Sequence, residues 1–227
     1  MTKVLRANAN VTGTISIDGL EVEDVNSFIY LGATVHGAGG SHEDISRRLS
    51  IARRAYALLN PVWRSKTYSK HTKLRIFKSC VISILLYGAE MWRVTSTDME
   101  RLDVFHRKCL RRILGIFWPY TISNRELYER AREGPISETL KARQWRWIGH
   151  VLREKDNSCR VALTWTPKGK RRPGRPEITW RRTIDAERKD LGWTSWTGVE
   201  QEAQDRDGWH LLLRGLMLHS QRGEEDE

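Results

Sequence analysis

"SFIYLGATVHGAGGSHEDISRRLSIARRAYALL", residues 27–59, contains the change of period that decides the fold. Its first nine residues read as two apolar strand halves pinched around Leu31-Gly32, where the glycine allows a bend or a close backbone approach. The run His36-Gly37-Ala38-Gly39-Gly40 then ends the extended region. From Ser41 the repeat lengthens. Ile45, Leu49, Ala52, Tyr56 and Leu59 recur at alternating steps of four and three, which is one face of a helix. Ser41 and Asp44 suit a capping box at its start, Arg47 and Arg54 fall on its far side, and Pro61 is expected to close it.

Upstream, "TISIDGLEVEDV" (14–25) alternates apolar and polar residues around Asp18-Gly19, a pair favoured in tight hairpin turns. Downstream, a second helix is expected over 69–92 with Leu74, Phe77, Val81, Ile84 and Leu85 inward. Thr97 and Glu100 open a third, which buries Leu102, Phe105, Cys109 and Ile113 and carries Arg107, Lys108, Arg111 and Arg112 on its other side. Gly115 and Pro119 end it, a short helix covers 124–132, and Pro135 suits the first turn of a fifth. Two more helices are expected over 177–191 and 199–218, before a frayed "RGEEDE" tail. The fold class is therefore mainly α with a small N-terminal β-hairpin region (α+β). Residues 1–40 form the β-hairpin region, 41–134 a helical bundle, and 135–227 a basic helical region with a Pro/Arg-rich loop at 166–177.

The 227 residues are long enough to bury a core, and the 39% hydrophobic content with ten tryptophans excludes a disordered chain. The net charge of +11 is concentrated in the centre: residues 41–182 hold 32 basic and 13 acidic side chains, a net of +19, between two acidic flanks. So positive a block attracts a polyanion and repels itself without one, which points to RNA or DNA backbone as partner. Cys80, Cys109 and Cys159 are odd in number and far apart, so neither a disulfide framework nor a zinc module is supported and no metal site is assigned. The longest apolar run, "CVISILLYGAEMW" (80–92), is too short for a membrane span and carries Glu90, so no membrane partner is expected. A nuclear or cytoplasmic location, not a secreted one, fits these features.

Two segments carry the basic chemistry. In the fifth helix Arg143, Arg146, His150 and Arg153 stack at steps of three, four and three into one cationic stripe, suited to phosphate contacts. Gly149 beside it marks a close approach, either of nucleic acid or of a neighbouring helix. His150 has no paired ligand or carboxylate at catalytic spacing and is not assigned a catalytic role. The loop "PKGKRRPGRPEITWRR" places Lys168, Lys170, Arg171, Arg172, Arg175, Arg181 and Arg182 within sixteen residues. Its prolines favour an extended phosphate-binding arm. Its "PGRP" resembles the Gly-Arg-Pro of minor-groove AT-hook peptides, and a nuclear-import signal is compatible with it. Trp147, Trp180 and Trp209 read as core, whereas Trp165, Trp193 and Trp196 lie near loops where they could stack bases.

Taken in order, "VNSFIYLGATV", "EDISRRLSIARRAYALL", "TKLRIFKSCVISILLYGAEMW", "RLDVFHRKCLRRILGI", "RQWRWIGHVLR" and "RRPGRPEITWRR" resemble the C-terminal part of a non-LTR (LINE-type) retrotransposon reverse transcriptase. The resemblance implies that Phe28, Tyr30, Leu31 and Gly32 form a primer-grip-like element, that the following helices are thumb-like, and that the basic segments bind nucleic acid. It also implies a departure. The family's palm holds two catalytic metals on a Tyr-x-Asp-Asp motif and a further aspartate, and this sequence contains no Asp-Asp pair. The chain is therefore expected to be a truncated copy without polymerase activity and with no cofactor of its own, Mg²⁺ belonging to the full-length polymerase. Surfaces that a palm would cover imply self-association or, as an alternative role, a domesticated protein-interaction remnant. A polymerase by family membership only is the other alternative.

Overall fold

A computed structural model describes residues 2–6, 13–37, 39–154, 158–164 and 179–219. The chain is mostly helical, with small strand pairs at its N-terminus, as the change of period predicts. Strand β1 (Lys3–Leu5) lies parallel to β4 (Glu23–Val25). Strands β2 (Ser16–Ile17) and β3 (Leu20–Glu21) form a hairpin through Asp18 and Gly19, whose φ angles of 52° and 78° are the left-handed pair of a type I′ turn. Strands β5 (Ser27–Tyr30) and β6 (Ala33–His36) repeat the device around Leu31 and Gly32, with Tyr30 opposite Ala33 and Ser27 opposite His36.

The helical part begins with α1 (His42–Leu58), which buries Ile45, Leu49, Ala52 and Tyr56 as the spacing predicts. The expected capping box does not form. Ser41 Oγ accepts from the Arg93 amide at 2.8 Å, and the Asp44 carboxylate is buried against other partners. Pro61 does not close α1 but sits in the first turn of α2 (Asn60–Arg64), where a missing amide hydrogen costs nothing. The expected helix over 69–92 starts as α3 (Lys70–Phe77), capped by Ser69, and passes through a π-helical turn (Lys78–Ile82) into α4 (Ser83–Leu85). It is then stopped by left-handed Gly88 and a 3₁₀ turn (Ala89–Met91). The widened turn fits the spacing of Phe77, Val81 and Leu85, four residues apart and all buried.

Helix α5 (Ser96–Leu114) is opened by a capping box of Thr95 and Asp98, two residues before the expected pair, and ends on left-handed Gly115. Helix α6 (Asn124–Ala131) leads to α7 (Ile136–Arg153), with Pro135 just outside its first turn. After α8 (Ser158–Thr164) come α9 (Trp180–Asp190), α10 (Trp196–Gln204) and α11 (Arg206–His219). The last expected helix thus divides in two at Asp205, whose carboxylate accepts from the Asp207 and Gly208 amides at 3.1 Å. The 166–177 loop and the "RGEEDE" tail lie outside the described residues.

Two apolar cores result. The first gathers α1 to α6 around Leu49, Phe77, Leu85, Leu102 and Leu110 and takes Ile136 and Leu140 from the start of α7. The second is built on Trp145, Ile148, Val151 and Leu152 from the rest of α7, with Leu163, Ile184, Trp193, Val199 and Trp209. Gly149 has a structural explanation: a Cβ there would overlap the buried Trp209 indole of α11, so the close approach is helix on helix. In the first core the His106 ring is stacked between Phe77, 5.9 Å away, and Tyr128, 6.1 Å away. Burial, helped by the charges of Lys78 and Arg107, lowers its pKa to about 4.

That burial makes an acid-sensitive core. The unfolded chain protonates His106 near pH 6.5, whereas the folded protein resists until about pH 4. Between those values the unfolded state binds more protons, so stability falls as pH drops, by up to about 3 kcal/mol. Urea unfolding at stepped pH is expected to show His106→Gln less stable than wild type at neutral pH, with the gap narrowing steadily from pH 6.5 towards 4.

Candidate nucleic-acid interface

The β5–β6 hairpin presents Phe28, Ile29, Tyr30 and Leu31 to solvent, with Leu31 75% exposed at the tip. Leu31 has φ of 46°, a left-handed conformation that costs an L-residue roughly 1–2 kcal/mol. Two arginines of α1 hold the turn. The Gly32 carbonyl accepts from Arg47 Nη1 at 2.8 Å and from Arg48 Nη2. The Arg48 guanidinium also lies 4.6 Å from the centre of the Tyr87 ring, so the tip rests against the turn that follows α4. Behind it the buried Asp44 carboxylate accepts from the Thr34 amide of β6 and from Trp92 Nε1, each at 2.8 Å. One carboxylate and two guanidiniums therefore dock an exposed apolar hairpin onto the first helix of the basic bundle. All four primer-grip-like residues lie in this hairpin. No local pattern marks the tethers: Arg47 falls on the polar side of α1 and Asp44 looks like a local cap.

The cationic stripe of α7 is divided by its surroundings. Arg143 donates to the Leu86 carbonyl at 2.7 Å and stands 3.9 Å from Glu90, and Arg153 donates to the Ala203 carbonyl at 2.8 Å. Both are half-buried and tie α7 to its neighbours. Arg146 and His150 are exposed, one turn apart on the outer face. Arg182 is exposed and Arg181 half-buried in the first turn of α9, where Thr179 Oγ1 accepts from the Arg182 amide at 3.3 Å. Lys168, Lys170, Arg171, Arg172 and Arg175 lie outside the described residues, as does Trp165.

The other two loop tryptophans do not offer rings to bases. Trp193 is buried, with its ring 5.3 Å from Trp209 and 16° from parallel, and its Nε1 donates to Glu202 at 2.7 Å. Trp196 is half-buried against the same core and donates to Asp185 at 2.7 Å. Trp209 is core as expected, while Trp147 and Trp180 are half-buried and meet edge to face at 5.9 Å. Trp145 is the core residue that the stripe-based reading of α7 overlooks, although its steps of three and seven to Ile148 and Leu152 mark the apolar face. Among the described residues no three His, Cys, Asp or Glu side chains stand together as a metal-holding group. No described helix is long and apolar enough to cross a membrane.

Comparison with known proteins gives two matches. Residues 55–87, from the end of α1 to Tyr87, match a domain of unknown function (DUF6451). Over 212 residues the chain is 28% identical to an uncharacterized transposon-derived protein of Caenorhabditis elegans, F52C9.6, covering 86% of this chain and 72% of that protein. No solved structure matches significantly. The chain is therefore similar, along most of its length, to a protein of transposon origin.

The Asp44 tether is open to test. Replacing Asp44 with Ala strips the Thr34 amide and the buried Trp92 indole of their acceptor, at a cost of about 2–4 kcal/mol. Denaturant unfolding is expected to show that loss, and hydrogen exchange is expected to show faster exchange in β6. A change below about 1 kcal/mol would mean that the carboxylate does not secure the hairpin.

Proposed function

We propose that this chain is the nucleic-acid-binding, C-terminal part of a non-LTR retrotransposon reverse transcriptase. In this reading the β5–β6 hairpin acts as a primer grip, the bundle of the first core as the thumb, and the region from α7 onward as a basic nucleic-acid-binding extension. The observation that carries the reading is the hairpin itself: Phe28, Tyr30 and Leu31 stand exposed on a turn fixed to the first bundle helix by Asp44, Arg47 and Arg48. A grip needs an exposed apolar edge that stays in register with the helices flanking the duplex. The net charge of +19 over residues 41–182 supports a phosphate-backbone partner, and the transposon-derived relative supports the origin.

Phosphate contact belongs to the cations that are not committed to carbonyls inside the protein. On α7 this selects Arg146, with His150 exposed one turn away as a hydrogen-bonding neighbour, and Arg143 and Arg153 hold the helix that presents them. By sequence alone, the basic loop is proposed to add Lys168, Lys170, Arg171, Arg172 and Arg175, with Arg181 and Arg182 following it at the start of α9.

Binding to unrelated RNA and DNA, measured across a salt series, tests the reading. Each phosphate neutralised contributes roughly −0.7 to −0.9 to the slope of log affinity against log salt. Arg146→Gln is expected to flatten the slope by about one, and joint replacement of Lys170, Arg171, Arg172 and Arg175 by Gln by about two to three. Unaltered slopes would remove these residues from the interface, and no binding at low salt would remove the function. The chain alone is also expected not to extend a primer on an RNA template with Mg²⁺ or Mn²⁺, because the Asp-Asp pair of the family's metal site is not in its sequence. Template-dependent extension by rigorously purified protein would contradict that.

A further inference from the structure

Between α5 and α6 the chain forms a knuckle, "GIFWPYTIS" (115–123), that belongs to neither the hairpin nor the basic segments. Its two ends are anchored. Ile116 is buried in the first core and its amide donates to the Arg111 carbonyl at 2.9 Å, while Ile122 packs against the same core. Ser123 then caps α6, accepting from the Glu126 amide at 3.1 Å. The residues between those anchors point outward: Phe117 is 59%, Trp118 88% and Tyr120 53% exposed. Every other tryptophan whose surroundings are described is buried or half-buried, so Trp118 is the exception among the described residues.

The surroundings indicate what would cover these rings. From residue 107 to residue 132 there are seven basic and two acidic side chains. Arg130 lies 5.7 Å from the centre of the Tyr120 ring and donates to its hydroxyl at 2.8 Å, which stiffens the far side of the knuckle. Arg111 donates to Asn124 at 2.7 Å across its base. Lys108 and Arg112 are exposed on the last turns of α5 leading into it. Aromatic faces held out from a rigid base within a cationic field are how proteins bind unpaired nucleotides: the rings stack on bases and the cations follow the phosphates. A protein partner would be met by an apolar patch, but it would have to tolerate a net charge of +5 over the same twenty-six residues.

We propose that Phe117, Trp118 and Tyr120 form a stacking platform for single-stranded nucleic acid, with Trp118 as the principal ring. The platform deepens the nucleic-acid-binding reading and rests on it. It assigns to the α5–α6 knuckle a preference for unpaired strands that phosphate contacts alone do not supply. A duplex keeps its bases stacked on each other and leaves no face for Trp118.

The test uses the whole chain, a labelled single-stranded oligonucleotide and the blunt duplex of the same sequence. Trp118→Ala is expected to weaken single-strand binding roughly ten-fold, leaving the duplex affinity, the salt slope and the circular dichroism unchanged. Trp118→Phe is expected to restore most of the loss. The part of the tryptophan emission that disappears in Trp118→Phe is expected to be quenched by the single strand and not by the duplex. If wild type binds both nucleic acids and Trp118→Ala binds the single strand just as well, the platform is wrong and the phosphate-binding reading stands. Equal losses on single strand and duplex also overturn it, as does a change in self-association in place of single-strand affinity. If wild type binds neither probe, the nucleic-acid reading itself fails and the platform with it.

Discussion

The turn that follows α4 is the constraint on which the rest of the molecule depends. Where a helix stops, its last carbonyls have no partners in the helix and must find donors elsewhere. In the segment after α4 the donors come from far along the chain. The Leu86 carbonyl accepts from Arg143, the Glu90 carbonyl from Trp180 Nε1 at 3.0 Å, and the Trp92 carbonyl from Gln144 at 3.1 Å. On its other side Trp92 donates to Asp44, and Tyr87 lies under Arg48. The same seven residues therefore fix the β5–β6 hairpin and α1 on one flank and α7 and α9 on the other. A second long-range carboxylate completes the arrangement. Asp103 of α5 accepts from the Ile136 amide at 2.7 Å and the Ser137 amide at 3.3 Å, capping α7 from outside its own sequence.

With its start fixed in this way, α7 serves two cores in succession. Ile136 and Leu140 complete the first, and Trp145, Ile148, Val151 and Leu152 nucleate the second. Four indoles of the second core have their polar edges satisfied. Trp145 donates to Glu187 at 3.2 Å, Trp193 to Glu202, Trp196 to Asp185, and Trp209 to the Trp145 carbonyl at 3.2 Å. Large apolar rings supply the buried area, and the N–H groups specify which neighbour each ring takes. The acidic excess of residues 183–227 thus has a structural use: three of its carboxylates receive indoles. Burial raises the pKa of one of them, Glu187, against the opposing influence of Lys141 and the Trp145 bond.

What could be read from the sequence was what is local. Helical period places Ile45 to Tyr56 and Leu102 to Ile113, and the Asp-Gly and Leu-Gly pairs place both hairpin turns, because each depends on residues within one or two turns of the chain. The errors fall where a polar side chain has two possible partners. Asp44 is in position for a capping box, yet the buried Trp92 indole and the part-buried Thr34 amide take it, since an indole N–H shut away from water is costly to leave without an acceptor. Arg143 and Arg153 belong to a cationic stripe by spacing, but the carbonyls of Leu86 and Ala203, both in part-buried surroundings, take them. Trp193 and Trp196 follow loop residues, which in sequence looks like exposure, and fold back onto α7, where their rings lie 4.9 Å and 6.3 Å from that of Trp145. None of these partners lies close enough in the chain to be inferred from spacing.

The same competition separates the cations that can meet a polyanion from those that cannot. A net charge counts Arg48, Arg143, Arg153 and Arg188 equally with Arg146. Yet the first four donate to backbone carbonyls at Gly32, Leu86, Ala203 and Trp193. Guanidinium suits this work because it stays charged when half-buried and reaches carbonyls with several donors at once. The guanidiniums with donors left for a phosphate are therefore fewer than the composition suggests, although all keep their charge. Among the described residues, exposed basic side chains stand on the outer face of α7, on the last turns of α5 beside the Trp118 knuckle, and from α1 to α3, where Arg53, Arg54, Arg64, Lys66, Lys70 and Arg75 face solvent, with the hairpin tip contributing apolar surface in place of charge. On the proposed reading, a bound strand would meet Arg146 on the outer face of α7 and the aromatic faces held out from the anchored knuckle.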